Sequence, residues 1–377
     1  MATTAPTANA QNGKQVQLAP FRAGTQGTVL ATGYVQTNTL TTATQDLPLW
    51  QIPPSNILRC IYLEVVGTVS GNEVDSIAFT GDGPLNIFST VNFADAGGTS
   101  IVGSFGSYAL AMIMKWGGYA NNSDPRANAV YSATTGSAAT SGSFTIVFRI
   151  PVEVVSRTGI ASLQNQSTNS PLTLQLTLNT IAKVYSTAPT TAPSVTVTAR
   201  LGGYWKGSNA GASQTPRAYG TTSYWNQASY LALNGSVTQQ LQNIGLGNPV
   251  RNLMFINYAT GGARSDADFP TTIEIDFRGN KLYQTDQTLW KFLMSEAYGM
   301  TGATQDAALG LDTGVYVLPF NQDFGLEPGA ELGNGYLSTD IGDSIQLVGT
   351  WNASSSLYEV INFLAVKGAT SQIQAGA

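Results

Sequence analysis

The sequence predicts an all-β protein of two tandem β-sandwich domains of the jelly-roll kind, each with a short helix in a long inter-strand connection. Three observations carry that expectation. Apolar and polar residues alternate with period two in many short segments, the pattern of half-buried strands. Only 10% of the 377 residues are charged against 42% hydrophobic. The polar surface is therefore built from Thr, Ser, Asn, Gln and Gly, which suit strands and turns better than exposed helices. Finally, a set of landmarks recurs in one order in the two halves.

Along the chain, residues 1–28 are rich in Ala, Thr, Gln and Gly with almost no period, and read as an extended arm ordered by contacts with something else. "IYLEV" places Ile61, Leu63 and Val65 on one strand face. "SFGSYALAMIMKWGG" has helical spacing, with Phe105, Tyr108, Ala109, Met112, Ile113 and Trp116 on one stripe, Ser104 as N-cap and Gly117 as the stop. In "FTIVFRIPVEVV" the residues Phe144, Ile146, Phe148 and Ile150 share a face. Pro151 cannot donate to a ladder and marks the strand's end or a sheet edge. "LTLQLTL" sets Leu172, Leu174, Leu176 and Leu178 against Thr173, Gln175 and Thr177, and "SVTVTA" follows suit. Residues 200–235 have many turn residues and no clear period, and read as a connection. "TIEIDF" turns Ile273, Ile275 and Phe277 inward and Glu274 and Asp276 outward. "TDQTLWKFLMSEAYG" is a second helix, with Asp286 as cap, Leu289, Phe292, Leu293 and Glu296–Ala297 at the packing spacing and Gly299 as the stop. Clean alternation points to antiparallel sheets with one wet face.

The halves match in order. "ATQDLPLWQIPPSNILRCIYLEV" (43–65) resembles "VTQQLQNIGLGNPVRNLMFINY" (237–258), with Thr44-Gln45 answered by Thr238-Gln239 and Leu58-Arg59 by Val250-Arg251. The two helices follow, Trp116 answered by Trp290. Then come "FRIP" (148–151) and "YVLP" (316–319), "LQLTL" (174–178) and "IQLVG" (345–349), and "SVTVTARLGG" (194–203) and "LYEVINFLAVKG" (357–368). Many short antiparallel strands joined by long loops suit a jelly-roll sandwich in each half. The expected division is an arm over 1–28, a first domain over 29–205, a connecting segment over 206–235, a second domain over 236–370 and a tail over 371–377.

Composition also excludes chemistry. A net charge of −5 without a Lys/Arg cluster disfavours a phosphate-backbone interaction, so no direct nucleic-acid binding is expected. Histidine is absent, which removes His-based triads and His-ligated metal sites. The single cysteine, Cys60, excludes an intrachain disulfide and sits in an apolar stretch as a core residue. The first residues lack a basic and an apolar region of a secretory signal, and no apolar run approaches the ~18 residues of a spanning helix. The sequons at Asn121, Asn165, Asn234 and Asn352 are then chance matches in a chain made and assembled in a cytoplasm. Glu274 and Asp276 could mimic a carboxylate pair for glycoside hydrolysis, and read instead as a solvated strand face. "SDAD" (265–268) and "GDG" (81–83) could bind calcium, but neither has a complete loop and both read as turns. No catalytic, cofactor-binding or metal residue is expected.

The chain resembles the double jelly-roll major capsid proteins of tailless icosahedral, internal-membrane (tectivirus-like) dsDNA phages. The features that carry this are "FRIPVEVVSRTGIASLQNQSTNSPLTLQLTLN" and "TGVYVLPFNQDFG", each a strand ending at a proline. In the first, a loop with an aliphatic-glycine turn and a polar-aliphatic strand follow. "GNKLYQTDQTLWKFLMSEAYG" is similar to the family's helix-bearing connection in the second roll. The likeness covers roughly residues 30–370 at the level of pattern. It departs at residues 1–28, where Lys14 and Arg22 are the only basic side chains. The resemblance implies two tandem eight-stranded jelly rolls and a homotrimer forming a pseudo-hexameric capsomer of an icosahedral virion shell assembled in the host cytoplasm. The partners it implies are the chain itself, minor capsid, vertex and membrane proteins, and an internal membrane touched indirectly or through the arm. The connections 117–143 and 299–314 would be tower or interface loops. The alternative is a β-sandwich binding module, for carbohydrate or attachment, using Tyr119, Tyr204-Trp205 and Tyr224-Trp225 as an aromatic platform.

Overall fold

A computed structural model describes residues 25–70, 76–119, 125–154, 159–165, 167–206, 221–241, 247–297, 312–320 and 336–366. The tail, most of the arm and most of 299–314 lie outside the described residues. The first half contains β1 (Thr25–Thr39), β2 (Gln45–Asp46), β3 (Trp50–Gln51), β4 (Asn56–Thr68), β5 (Ala78–Phe79), β6 (Phe88–Ala94) and β7 (Ser100–Phe105). Helix α1 (Ser107–Trp116) follows, then β8 (Ser132–Ala133), β9 (Phe144–Pro151), β10 (Leu163–Asn165), β11 (Thr173–Leu178), the single turn α2 (Ile181–Val184), β12 (Tyr185–Thr187) and β13 (Ser194–Lys206). The second half contains β14 (Thr221–Gln240), β15 (Val250–Ala259), β16 (Thr272–Phe277), β17 (Asn280–Asp286), helix α3 (Gln287–Ala297), β18 (Val315–Pro319) and β19 (Ile345–Val366).

Strand pairing in the first half gives one sheet in the order β1-β13-β4-β9-β8 and a second in which β2 and β3 flank β11, followed by β6 and β7. The chain thus alternates between sheets and closes each with strands from both ends of the domain, the winding of a jelly roll. The second half repeats it with fewer, longer strands. Residues 221–230 of β14 pair with 357–366 of β19, and residues 235–240 of β14 pair with 346–351 of β19. The register breaks between these two stretches, where Ala232 and Gly235 adopt left-handed φ values of 56° and 70° and let the ribbon turn from one sheet into the other. β15 and β18 complete one sheet on the far part of β19, and β16 and β17 complete the other on its near part. The orders β14-β19-β15-β18 and β14-β19-β16-β17 match β1-β13-β4-β9 and β2/β3-β11-β6-β7. The chain is a double jelly roll.

Alternation decides what each strand buries. Phe144, Ile146, Phe148 and Ile150 are buried while Thr145, Val147 and Arg149 are half-exposed. They meet Ile61, Leu63 and Val65 of β4 in antiparallel register. Each such side chain contributes about 1.5–3 kcal/mol. Cys60 is fully buried, and burial pushes its thiol up. Gly202 lies against it: a Cβ there would stand 2.5 Å from the Cys60 Sγ.

The two strand-ending prolines occupy equivalent places in the rolls, whereas Trp116 ends α1 and Trp290 is the fourth residue of α3. Pro151 pairs with Cys60, the residue after Arg59, and Pro319 pairs with Asn252, the residue after Arg251. In both rolls the strand ends on that pair, and the arginine carbonyl then accepts from the chain leaving it: Val152 N (3.2 Å) and Glu153 N (2.9 Å) at Arg59, Phe320 N (3.0 Å) at Arg251. The missing N–H of each proline costs the sheet nothing, because no strand among the described residues pairs on that side at this point.

Four expectations are corrected. The connecting segment expected over 206–235 is largely strand. β13 runs to Lys206 and β14 starts at Thr221, so only 207–220 lie between them, outside the described residues. β1 starts at Thr25, inside the expected arm. Ser104 is a residue of β7 and not the cap of α1; the helix starts after Gly106, whose backbone is extended, with no side-chain cap. The Ser107 hydroxyl is instead buried, donating to Leu85 O (2.7 Å) and accepting from Phe88 N (2.8 Å). Gly117 ends the helix as expected, its N–H on Ile113 O. In α3, Asp286 does cap, its Oδ1 accepting from Leu289 N at 2.8 Å. The packing face differs, however: Trp290 and Met294 are buried, and Leu289 and Phe292 are exposed. The Trp290 indole donates to Val317 O (2.7 Å) and packs against Phe255, Tyr283 and Tyr316, which fixes the helix's rotation.

Phe148→Ala removes the ring at the centre of the first roll's core and is expected to cost about 3–5 kcal/mol, read as a lower urea midpoint with the far-ultraviolet spectrum unchanged before the transition.

Candidate functional site: the junction between the two rolls

The rolls meet along one edge of each. Trp225 of β14, fully buried, forms a parallel pair with Val102 of β7. Helix α1, in the connection after β7, lies beneath the second roll, and nine of its ten residues are buried. Its C-terminal carbonyls, which no helical N–H can reach, are taken by the second roll: Asn252 Nδ2 donates to Trp116 O (3.1 Å) and Arg251 Nη2 to Gly117 O (3.0 Å).

Two buried ion pairs cross the joint. Lys115 Nζ lies 2.6 Å from Asp312 Oδ2 and 4.8 Å from the Trp116 ring centroid. Arg264 Nε lies 2.5 Å from Asp82 Oδ1, and its guanidinium stands 4.6 Å over the Tyr108 ring. Arg264 also donates to Thr313 O (2.6 Å) and Gly81 O (3.3 Å), so one side chain ties both rolls. Beside them Lys291 bonds Asp266 Oδ1 at 3.1 Å and the Asp312 carbonyl, and burial holds its ammonium below the usual lysine range. A cleft of about 680 Å³ opens above this layer, lined by Asp82, Tyr108 and Lys183 of the first roll and Tyr258, Arg264 and Tyr358 of the second.

Most of the other candidates are held by neighbours within the fold. The "GDG" turn supplies Asp82, which is held by Arg264. In "SDAD", Asp266 Oδ1 accepts from Tyr316 OH (2.7 Å), Gly314 N (2.8 Å) and Lys291, so its charge is already matched. Among the described residues no group of three or more Cys, Asp or Glu could hold a metal ion. Glu274 and Asp276 do face one another on β16. Lys281 and Gln284 bond the Glu274 carboxylate, and the Lys281 bond holds it below the usual range, while partial burial and then Glu274 push Asp276 up. They lie on the open face of β16, away from the inter-roll cleft.

The aromatic platform is not assembled. Trp225 is buried in the joint, Tyr224 stacks on Phe363 at 5.3 Å, and Tyr204 is buried with its hydroxyl on Glu153 Oε2 (2.8 Å). Tyr119 is held against Arg149 and Arg251, and only Trp205 is exposed. Of the sequons, Asn165 is buried and bonded to Pro53 O (2.7 Å), while Asn121 lies outside the described residues.

Sequence reasoning missed the joint itself. The available signal was charge placed inside apolar runs, as with Lys115 in "ALAMIMKW" and Arg251 in "VRNLMFI". In a chain with so few charges, those positions mark buried and partnered groups.

No protein-family model matches the sequence, and neither does any curated protein. Solved structures do match. The atomic structure of Sulfolobus Turreted Icosahedral Virus aligns with TM-score 0.61 at 11% identity, over 93% of this chain and 95% of that one. The PBCV-1 virus capsid aligns with TM-score 0.56 at 11% identity, over 90% and 94%. The major capsid protein P2 of bacteriophage PM2 aligns with TM-score 0.54 at 9% identity, over 92% and 99%. The matching structures are double jelly-roll major capsid proteins, so the fold named by the sequence resemblance is the fold observed.

Lys115→Met strands Asp312 in the joint and is expected to cost about 3–5 kcal/mol, whereas the double change with Asp312→Leu recovers most of it; urea unfolding of the three variants checks this. A second expectation concerns alkali. Burial pushes the phenols of Tyr34, Tyr62 and Tyr283 up to about 12. Below pH ~10 they are protonated whether folded or not, and above it the unfolded chain loses these protons first. Stability is therefore full below about pH 10 and falls as pH rises towards about 12, a trend that urea midpoints between about pH 9 and pH 11 should follow.

Proposed function

We propose that this chain is a major capsid protein that forms homotrimers, each a pseudo-hexameric capsomer in the shell of an icosahedral virion. The observation that carries this reading is the repetition of one jelly-roll winding twice in the chain, with strands in the same order and the two closing prolines in the same register. Two like rolls fused side by side let three copies present six similar units, so an object with three-fold symmetry can fill a hexagonal position. Double jelly-roll capsid proteins of icosahedral viruses share the fold over almost their whole length, which supports the capsid role. A surface poor in charge also suits it, because neighbours can cover it without desolvating ion pairs. The role is structural and not enzymatic. The protein would be made in a host cytoplasm and act in the virion, a bacteriophage by the sequence resemblance, beside minor capsid, vertex and membrane proteins. Residues 1–28 and 371–377 would reach neighbouring capsomers, and the arm is where an internal membrane would be met.

Size-exclusion chromatography with light scattering is expected to give a stable species near three times 39.6 kDa, and electron micrographs six-lobed particles or shells. A monomer at micromolar concentration, or glycan binding with no assembly, would overturn the proposal.

A further inference from the structure

The cleft between the rolls lies at one end of the molecule. The same connection in each roll contributes to it: residues 80–86 lie between β4 and β6, residues 259–264 between β15 and β16, and those strands hold matching places in the two windings. The closing prolines mark the other end. Pro151 pairs near the start of β4 and Pro319 near the start of β15, whereas the cleft lies at the far end of both strands. β1 begins and β13 ends at the proline end, since Thr25 pairs with Lys206 and Tyr204 with Ile57. β19 also ends there, with Phe363 pairing with Val250. Residues 1–24 and 367–377 are thus attached at the end away from the cleft.

The volume of about 680 Å³ falls within the ~300–1,000 Å³ of ligand sites, and the fold leaves polar groups around it unused. The side chains of Asn86, Ser104 and Lys183 from the first roll, and of Ser356 and Tyr358 from the second, make no hydrogen bond or ion pair among the described residues. The Tyr358 ring stands edge to face with Tyr258 at 5.3 Å, and both are half-buried. Lys183 is exposed and reaches across the opening, its Nζ 3.9 Å from where a Cβ on Gly262 would stand. The floor is neutral because Arg264 matches Asp82, so Lys183 gives the cleft one positive charge. These groups fit a ligand with several hydroxyls, a negative charge and an apolar face. A polyphosphate calls for a cluster of cations or an arginine fork, and a single lysine supplies neither. A pyranose bearing a carboxylate meets all three demands. Its hydroxyls give and take hydrogen bonds with Asn86, Ser104, Ser356 and the Tyr358 phenol, its C–H face covers a tyrosine ring, and its carboxylate meets Lys183.

We infer that the inter-roll cleft binds an acidic saccharide, a chain of sugars carrying carboxylates, on the surface of a host cell. The ligand class stands on the cleft's own geometry, and the direction the cleft faces rests on the capsid reading above. Terminal segments that reach neighbouring capsomers and an internal membrane put their end of the molecule toward the shell's interior, so the cleft opens outward. The tyrosines here are not those of the platform expected from sequence. Tyr258 and Tyr358 are 100 positions apart and meet because β15 pairs with β19.

Saturation-transfer NMR tests this, with the full chain titrated by trigalacturonic acid, its methyl ester and sialyllactose, and its oligomeric state read in parallel by light scattering. Both acids are expected to bind. The methyl ester, which keeps every hydroxyl and loses the charge, should bind about tenfold more weakly than its acid, and added salt should narrow that gap. Lys183→Gln, at an exposed position, should abolish the preference for the acid and leave the ester's affinity unchanged. Tyr358→Ala should weaken acid and ester alike. Tyr358→Phe, which keeps the ring and loses the phenol, stands in if the alanine variant fails to fold, and should weaken both to a smaller degree. Acids that do not bind, or an acid preference that survives Lys183→Gln, overturn the inference. So does an acidic tripeptide that binds as tightly as the acids, because the cleft then reads charge and not sugar. A trimer that binds neither acid overturns the inference and leaves the capsid proposal standing. A monomer that binds both acids with the expected Lys183 dependence supports the ligand class and removes the capsid reading, and the outward direction with it.

Discussion

The burial of α1 beneath the second roll is the contact on which the rest of the molecule depends. A helix sealed on nearly every side has no water to satisfy its C-terminal carbonyls or to screen Lys115. The second roll must therefore supply Asn252, Arg251 and Asp312 in fixed positions. Those side chains sit on or beside β15 and ahead of β18, the pair that ends at Pro319. The sheet that makes the second roll is thus also the lid of the first, and the two rolls form one continuous hydrophobic core.

Charge is spent where this arrangement demands it. Glu153 is buried in the first roll and held by Arg59, Arg149 and the Tyr204 hydroxyl. Arg264 and Asp82, and Lys115 and Asp312, cross the joint. Buried pairs add little net stability over a well-packed apolar core, since desolvation offsets most of the attraction. Their effect is directional: apolar layers can slide past one another, whereas an arginine bonded to carbonyls on both rolls permits one relative placement.

Much of the fold was legible because its information is periodic. Phe144, Ile146, Phe148 and Ile150 are read correctly from alternation, and the order of landmarks pairs the right strands in the two halves, down to the two prolines. Elements whose conformation is set by distant partners were not legible. β14 buries Trp225, Ala228, Tyr230 and Leu233 at irregular spacing among polar residues, and its register on β19 breaks midway, so it reads as a connection. The face of α3 was misassigned because a tryptophan reaching for the Val317 carbonyl outweighs a stripe of leucine and phenylalanine. The candidate carboxylates of the two acidic turns were found from sequence; that arginine and lysine already hold them was not, since Arg264 and Lys291 become their neighbours only through the fold. The joint needs both halves folded together, and no local pattern encodes it beyond charges placed in apolar runs.

The long β14–β19 ribbon has a kinetic meaning. In the first roll, the strands that sit second in each sheet, β11 and β13, are separate elements, whereas in the second roll both roles fall to β19. Until β19 is present, β14 has no antiparallel partner among the described residues, and there β15–β18 and β16–β17 are isolated strand pairs. Loops of this length must close before any of that pairing is rewarded, which slows folding. The second roll therefore completes after β19 leaves the ribosome, and α1 waits uncovered on the finished first roll until it does. The interval between those two events is when this chain exposes the most apolar surface, and when a chaperone or a wrongly paired neighbour would find it.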